Sequence, residues 1–245
     1  MISGILGKKI GMTQLFDENG DVHPVTVLQC GPCVVTQKKS PTKDGYEAVQ
    51  VGLVEFVKQK NISKGEMGHL QKNDLPPMRQ LHEFAIVDEG KKSEDGNGGV
   101  KVGDRVLVDI FADDKYVDIS GTSKGRGFAG VVKRHKFGGG PKAHGHMFQV
   151  QGSIGSSSFP SRVFRGMKMP GHMGVAKVTV RNLKIRGIDI DENLLLVEGA
   201  VPGHRDAYVV INKAKKPPRE RRGFAGNTTV DPLKAAKKAA AGKKK

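Results

Sequence analysis

SKGRGFAGVVKRHKFGGGPKAHGHM, Ser123 to Met147, holds seven Gly, six Lys or Arg, three His and neither Asp nor Glu. Such a segment has too little apolar surface for a core, and its charge is too one-sided to stand in water without a partner. Either it is a disordered tail set in mid-chain or something outside the chain completes it. Its flanks decide. KYVDIS (Lys115–Ser120) runs into it and AKVTVRNLKIRGIDID (Ala176–Asp191) leads out, both with the alternation of strands. Strands on the two sides must meet in one body, so the chain from about 121 to 175 leaves that body and returns as a two-limbed finger. A coreless excursion of this length signals function. It is also acid-free: no Asp or Glu occurs between Asp118 and Asp189.

The 245 residues suffice for one good-sized core or two small ones. Only 37% are apolar, Gly numbers 33, Trp is absent and aromatics reach 5%, so part of the chain is expected to stay outside any core. Lys and Arg outnumber Asp and Glu by 41 to 25, a formal charge of +16. That balance points to a polyanion, either nucleic acid or an anionic membrane surface. A membrane is disfavoured, because no apolar run approaches the roughly 18 residues of a spanning helix. MISGILGKKIGMTQLF meets Lys8 and Lys9 too early for a signal peptide. Two Cys form no disulfide framework and suit a reducing compartment, so a cytoplasmic location is expected.

Along the chain, KKIGMTQLFDENGDVHPVTVLQ reads as a hairpin, with Asn19-Gly20 supplying positive φ angles at its turn. CVVTQ (Cys33–Gln37) and YEAVQVGLVEF (Tyr46–Phe56) continue as strands. Polar character takes over from Lys58, PPMRQLHEF (Pro76–Phe84) predicts a short helix, and SEDGNGG (Ser93–Gly99) a loop. VKVGDRVLVDIF (Val100–Phe111), NLLLVEGAVPG (Asn193–Gly203) and AYVVIN (Ala207–Asn212) return to strand texture. In the basic tail, Asp231 caps a short Ala/Lys helix with Pro232 in its first turn and Gly242 past its end. The fold class is mainly β with minor α. Residues 1–120 form the first part of the body, with a small insertion at about 58–99. Residues 121–175 form the extension, 176–212 complete the body, and 213–245 are the tail.

CGPC (Cys30–Cys33) has dithiol spacing, but the residues after it, VVTQKKSP, are β-branched and soon meet proline. The helix that activates such a thiol is not expected there. GRGFAG (Gly125–Gly130) fits a dinucleotide fingerprint, yet the acidic residue needed about twenty positions on falls within the acid-free stretch. His135, His144, His146 and His172 have no Cys or carboxylate near them in sequence to complete a metal set. No catalytic group, metal, cofactor or small-molecule substrate is expected. What remains is the charge. A solvated face mixes signs, whereas excluding every acid makes sense if each cation faces a phosphate. Lys124, Arg126, Lys133, Arg134, Lys136, Lys142, Arg162, Arg165, Lys168, Lys177 and Arg181 are the candidate nucleic-acid contacts, with Lys184 and Arg186 beyond them. His135, His144, His146 and His172 join them at sugars and bases. Phe128, Phe137, Phe148, Phe159 and Phe164 offer faces for stacking. RNA is favoured over DNA, because no zinc finger, basic zipper or recognition helix is present and a Gly-rich finger suits the crevices of folded RNA.

ISGILGKKIGMTQLFDENG, DISGTSKGRGFAGVVKRHKF, GSIGSSSFPSRVFRGMKMPGHMG and NLLLVEGAVPG resemble, in order, the bacterial form of the universal large-subunit ribosomal protein L-three family. The likeness covers most of residues 1–212. It implies a β-barrel body of the translation-protein type and an extension threading into large-subunit rRNA. It also implies contacts with neighbouring ribosomal proteins and a ribosome-bound, cytoplasmic life. On this comparison the tip nearest the peptidyl-transferase centre is Gly152, Ser153, Ile154, Gly155, Ser156, Ser157 and Ser158. Many bacterial members carry a glutamine, methylated in some, where this chain has Ser156; the tip is therefore shorter in reach and lacks that modification target. The Gly31-Pro32-Cys33 turn is familiar in the family. Two rival readings are a dithiol oxidoreductase using Cys30 and Cys33, and a nucleic-acid-binding protein that works apart from ribosomes.

Overall fold

In the computed structural model, which describes residues 2–86 and 100–218, the first hairpin forms around its turn residues. Strand β1 (Gly4–Phe16) pairs antiparallel with β2 (Val22–Gln29), from Lys8↔Gln29 to Phe16↔Val22. Asp17 N donates to Asp21 O at 2.9 Å and Gly20 N to Asp17 O at 2.8 Å. Of the two turn residues expected at positive φ only Gly20 has it, at 83°. The loop is therefore a three-residue connection whose last position alone needs glycine.

The chain next leaves the barrel. β3 (Cys33–Lys39), the single helical turn α1 (Pro41–Asp44), β4 (Ala48–Leu53), α2 (Lys64–Gln71), β5 (Leu81–Ala85) and β6 (Arg105–Val106) follow. Their strands form a separate four-stranded sheet in the order β5-β4-β3-β6. This sheet draws on chain from both sides of the 58–99 stretch, because both edges of β2 are already taken by β1 and a later strand. The expected helix at 76–84 is instead a loop leading into β5. There β4's open edge supplies a ladder from Gly52↔Leu81 to Ala48↔Ala85, and Phe84 enters the core; a helix so short would stand alone. The helix that does form, α2, carries a capping box in which Ser63 and Glu66 satisfy each other's backbone N–H. Val100–Phe111 yields only β6 and a 3-10 turn that buries Val108 and Phe111. The loop read at 93–99 and the tail helix near Asp231 lie outside the described residues.

The remaining elements are β7 (Tyr116–Thr122), β8 (Phe128–Ala129), α3 (Val131–His135), β9 (Gly171–His172), β10 (Lys177–Asp189), β11 (Leu194–Glu198) and β12 (Tyr208–Lys213). Six strands close a barrel in the order β1-β12-β7-β10-β11-β2, the mainly β body expected. Closure leaves no free sheet edge on these strands. Ile5, Leu28, Ile119, Leu195, Val197 and Ile211 are fully buried, each such side chain contributing about 1.5–3 kcal/mol. The same cluster takes in Val35, Val49, Val51 and Phe84 of the second sheet, which is why Gly4–Gly7 of β1 is buried throughout. Asp118, the last acid before the acid-free stretch, is buried at the barrel wall. Its Oδ1 accepts from Asn182 N at 2.8 Å where β10 shifts register at a bulge.

Candidate nucleic-acid interface

The extension grows out of a barrel hairpin. β7 and β10 pair out to Thr122↔Lys177, and bonds between the limbs continue past the rim: Ser123 N to Ala176 O at 2.9 Å, Arg126 N to Met173 O at 2.8 Å, and Met173 N to Gly127 O at 2.9 Å. The β8–β9 pair, Phe128↔His172 and Ala129↔Gly171, extends the ribbon. At Gly174, with φ at 84°, an added Cβ would overlap the Lys124 carbonyl oxygen and the Gly125 Cα. Only glycine allows the limbs to lie this close.

Farther out, α3 opens at Gly130 and ends at Lys136 in the left-handed region. Arg134 Nη1 donates to Met169 O at 2.8 Å, tying one limb to the other. That guanidinium is half-buried and structural, a role its charge alone does not suggest. His135 is also half-buried, its ring centroid 6.3 Å from that of Phe137. Every other candidate cation and histidine is exposed: Lys124, Arg126, Lys133, Lys136, Lys142, His144, His146, Arg162, Arg165, Lys168, His172, Lys177 and Arg181. So are residues 152–158, where Ser153 Oγ donates to Gly155 O at 2.9 Å in a local turn. Phe128 and Phe159 are 81% and 89% exposed, and Arg162 lies over the Phe164 ring at 5.6 Å. Among the described residues of 121–175, only Ala129 and Val131 are buried.

No ion pair among the described residues includes a cation of 121–175; the pairs lie on the body. Arg186, grouped above with the phosphate-facing cations, belongs to that body set. Its Nε donates to Glu198 at 2.8 Å and its Nη1 to Asp17 at 3.2 Å. The hydrogen bond from Arg186 holds the Glu198 carboxyl below its ordinary pKa.

The competing motifs fare differently in three dimensions. Cys30 and Cys33 are fully buried, their Sγ atoms directed to the Leu28 and Leu6 carbonyls. Burial pushes both thiols up, Cys33 to about 12. A strand, β3, starts at Cys33 where an activating helix would be needed. No group of three or more His, Cys, Asp or Glu among the described residues is placed to hold a metal. Sequence reasoning missed Lys9, Arg79, His82 and His204, which gather at the extension's root with Lys124 and Lys177. They come from separate parts of the chain, and no local pattern marks them.

The sequence profile described as Ribosomal protein L3 matches residues 100–190, the span running from before β6 through the extension to the end of β10. Over 244 residues, covering 100% of both chains, this chain is 70% identical to the large ribosomal subunit protein uL3 of Koribacter versatilis. The chain belongs to the ribosomal protein L3 family. Proteins of the same name from Solibacter usitatus and Thermosynechococcus vestitus are 52% and 48% identical over 88% of this chain, and 100% and 98% of their own lengths are matched. In this member of the ribosomal protein L3 family, the profile match centres on the exposed, acid-free segment rather than on the barrel alone.

Proposed function

We propose that the 121–175 extension binds large-subunit rRNA directly, helps nucleate subunit assembly, and supports the peptidyl-transferase region through its tip at 152–158. As a member of the ribosomal protein L3 family the chain is a structural protein of the large ribosomal subunit, ribosome-bound and cytoplasmic, and not an enzyme. The rRNA reading is carried by one observation: among the described residues of 121–175 only Ala129 and Val131 are buried, while every cation but Arg134 stands exposed with no carboxylate in ion-pair range. A segment that neither forms a core nor balances its charge is completed from outside, and a phosphate backbone supplies both surface and counter-charge. Exposed Phe128 and Phe159 add faces for base stacking. The assignment of the tip follows the family resemblance. Neighbouring ribosomal proteins are the expected partners of the body.

The test neutralises four exposed cations together, Lys133, Lys142, Arg162 and Arg165, each to Gln. Binding to large-subunit rRNA is then measured across salt concentrations. At about 0.7–0.9 of log–log slope per phosphate, the slope should fall by roughly three. An unchanged slope would show that these charges serve something other than RNA.

A further inference from the structure

The formal charge of +16 is not spread along the chain. Residues 1–120 and 176–218, which supply every strand of the barrel and of the second sheet, carry 23 Lys or Arg and 23 Asp or Glu. The body is neutral. The extension, 121–175, has nine cations and no acid, and residues 219–245 have nine cations against Glu220 and Asp231. These two segments, at net +9 and +7, hold the entire excess. The proposed rRNA contacts of the extension account for the first share and leave the second without a counterpart.

The fold is complete before residue 219. β12 is paired along both edges, with β1 and with β7, and Ile211 is the last buried residue among those described. Lys215 to Pro218 are exposed. The chain passes out of the barrel at Lys213, opposite Val117 near the start of β7, whereas the extension leaves β7 at its other end, Thr122. The Solibacter usitatus relative, matched along its whole length, accounts for 217 residues of this chain and leaves 28 of the 245 unmatched. All barrel strands and all four family stretches lie before residue 218, so the surplus is the basic tail, which the Koribacter versatilis relative, matched throughout, shares. A segment added to a finished fold and kept this basic has a ligand of its own. A neutral body offers no net counter-charge, so that ligand is an external polyanion. Phe224, Val230 and Leu233 are the only large apolar side chains of 219–245, too few for the apolar face with which a basic segment enters a bilayer. Arg219, Arg221 and Arg222 bring three forked donors within four residues, suited to phosphate oxygens. Lys234, Lys237 and Lys238 stand three and four apart, the spacing that gathers side chains on one helix face.

We propose that residues 219–245 are a second RNA-binding segment, which holds sugar–phosphate backbone through its charge and adds to the grip of the extension. The identity of the polyanion rests on reading the extension as RNA-binding; the partition of charge does not. The test changes Arg219, Arg221, Arg222, Lys234, Lys237 and Lys238 together to Gln in the full chain. The salt slope of binding to large-subunit rRNA should fall by roughly three, about four phosphates' worth. Exchanging Arg for Lys and Lys for Arg at the same six positions should leave the slope where it was. A photo-crosslinking residue in place of Phe224 should capture rRNA, and should still do so in the variant neutralised at Lys133, Lys142, Arg162 and Arg165.

The outcomes separate the two claims. An unchanged slope in the six-site variant, with a reduced slope in the four-site variant, overturns the tail's role and leaves the extension's standing. A reduced slope in the first with none in the second supports the tail and overturns the extension. A crosslink from position 224 to protein and not to rRNA overturns the proposal. So does binding of the full chain to phosphatidylserine vesicles that the six changes abolish while the rRNA slope stays the same.

Discussion

The Cys33 thiol donates to the Leu6 carbonyl at 3.4 Å from within the core, and burial pushes its pKa up to about 12. Its spacing from Cys30 is that of a redox dithiol, and spacing is all that a sequence shows of it; burial decides whether a thiolate can exist. The sign of the pH effect follows from proton counts. Above a pKa of about 8.5 the unfolded thiol has lost its proton while the folded one keeps it. The unfolded state then binds fewer protons, and stability falls as pH rises toward 12. Between pH 8 and pH 10 the chain should lose about 2 kcal/mol more than Cys33→Ala, read from urea midpoints at the two values. Equal losses would mean that the thiol is not sealed in. Gly20 and Gly174 make the complementary case. The turn glycine was legible because a hairpin announces itself locally. The need for glycine at 174 comes from the Lys124 carbonyl, fifty residues away, and no local pattern reveals that.

Alternating strands were legible wherever one face meets the barrel interior: β7, β12 and the first hairpin fall where the pattern places them. The second sheet was not. β3 and β4 read as strands, but their membership of a separate sheet follows from β11 occupying the free edge of β2. In the same way, β5 is a strand because β4 offers an edge, against a local signal of two prolines and a short amphipathic run. Pairing partners decide such cases, and they lie outside any window of sequence. Helix α3 shows how a short element gains stability from a neighbour. Five residues are too few to hold alone, and the bond from Arg134 to the Met169 carbonyl joins it to the returning limb. Arg134→Ala should remove about 1 kcal/mol from this local unit, raising amide exchange roughly five-fold at 131–136 and 171–173. Exchange in β1, β2 and β11 should not change. If those strands loosened as well, the ribbon and the barrel would be one cooperative unit.

The division into a β body and a basic, coreless excursion was legible because charge exclusion acts over tens of residues and survives any detail of folding. The gathering of cations at the extension's root was not legible, since Lys9, Arg79 and Lys177 come from three strands or loops that only the closed barrel brings together. The topology also says how the two parts depend on one another. The extension is inserted between β7 and β10, neighbours in the closed ring that remain paired from Lys184↔Tyr116 to Lys177↔Thr122 without any residue beyond the rim. Each of these strands has a second partner, β12 for β7 and β11 for β10. None of the core cluster comes from 121–175. Replacing residues 123–176 by a two-residue Asn-Gly turn, a connection that antiparallel strands accept, should therefore leave a soluble barrel whose far-UV circular dichroism and cooperative melting persist. The same change removes Lys124 and the cations beyond it, so affinity for large-subunit rRNA should fall on the order of a hundredfold or more at moderate salt. A body that unfolds without the extension would mean that its core is not self-sufficient, and one that binds rRNA as tightly as the intact chain would mean that the excluded acids have some other explanation.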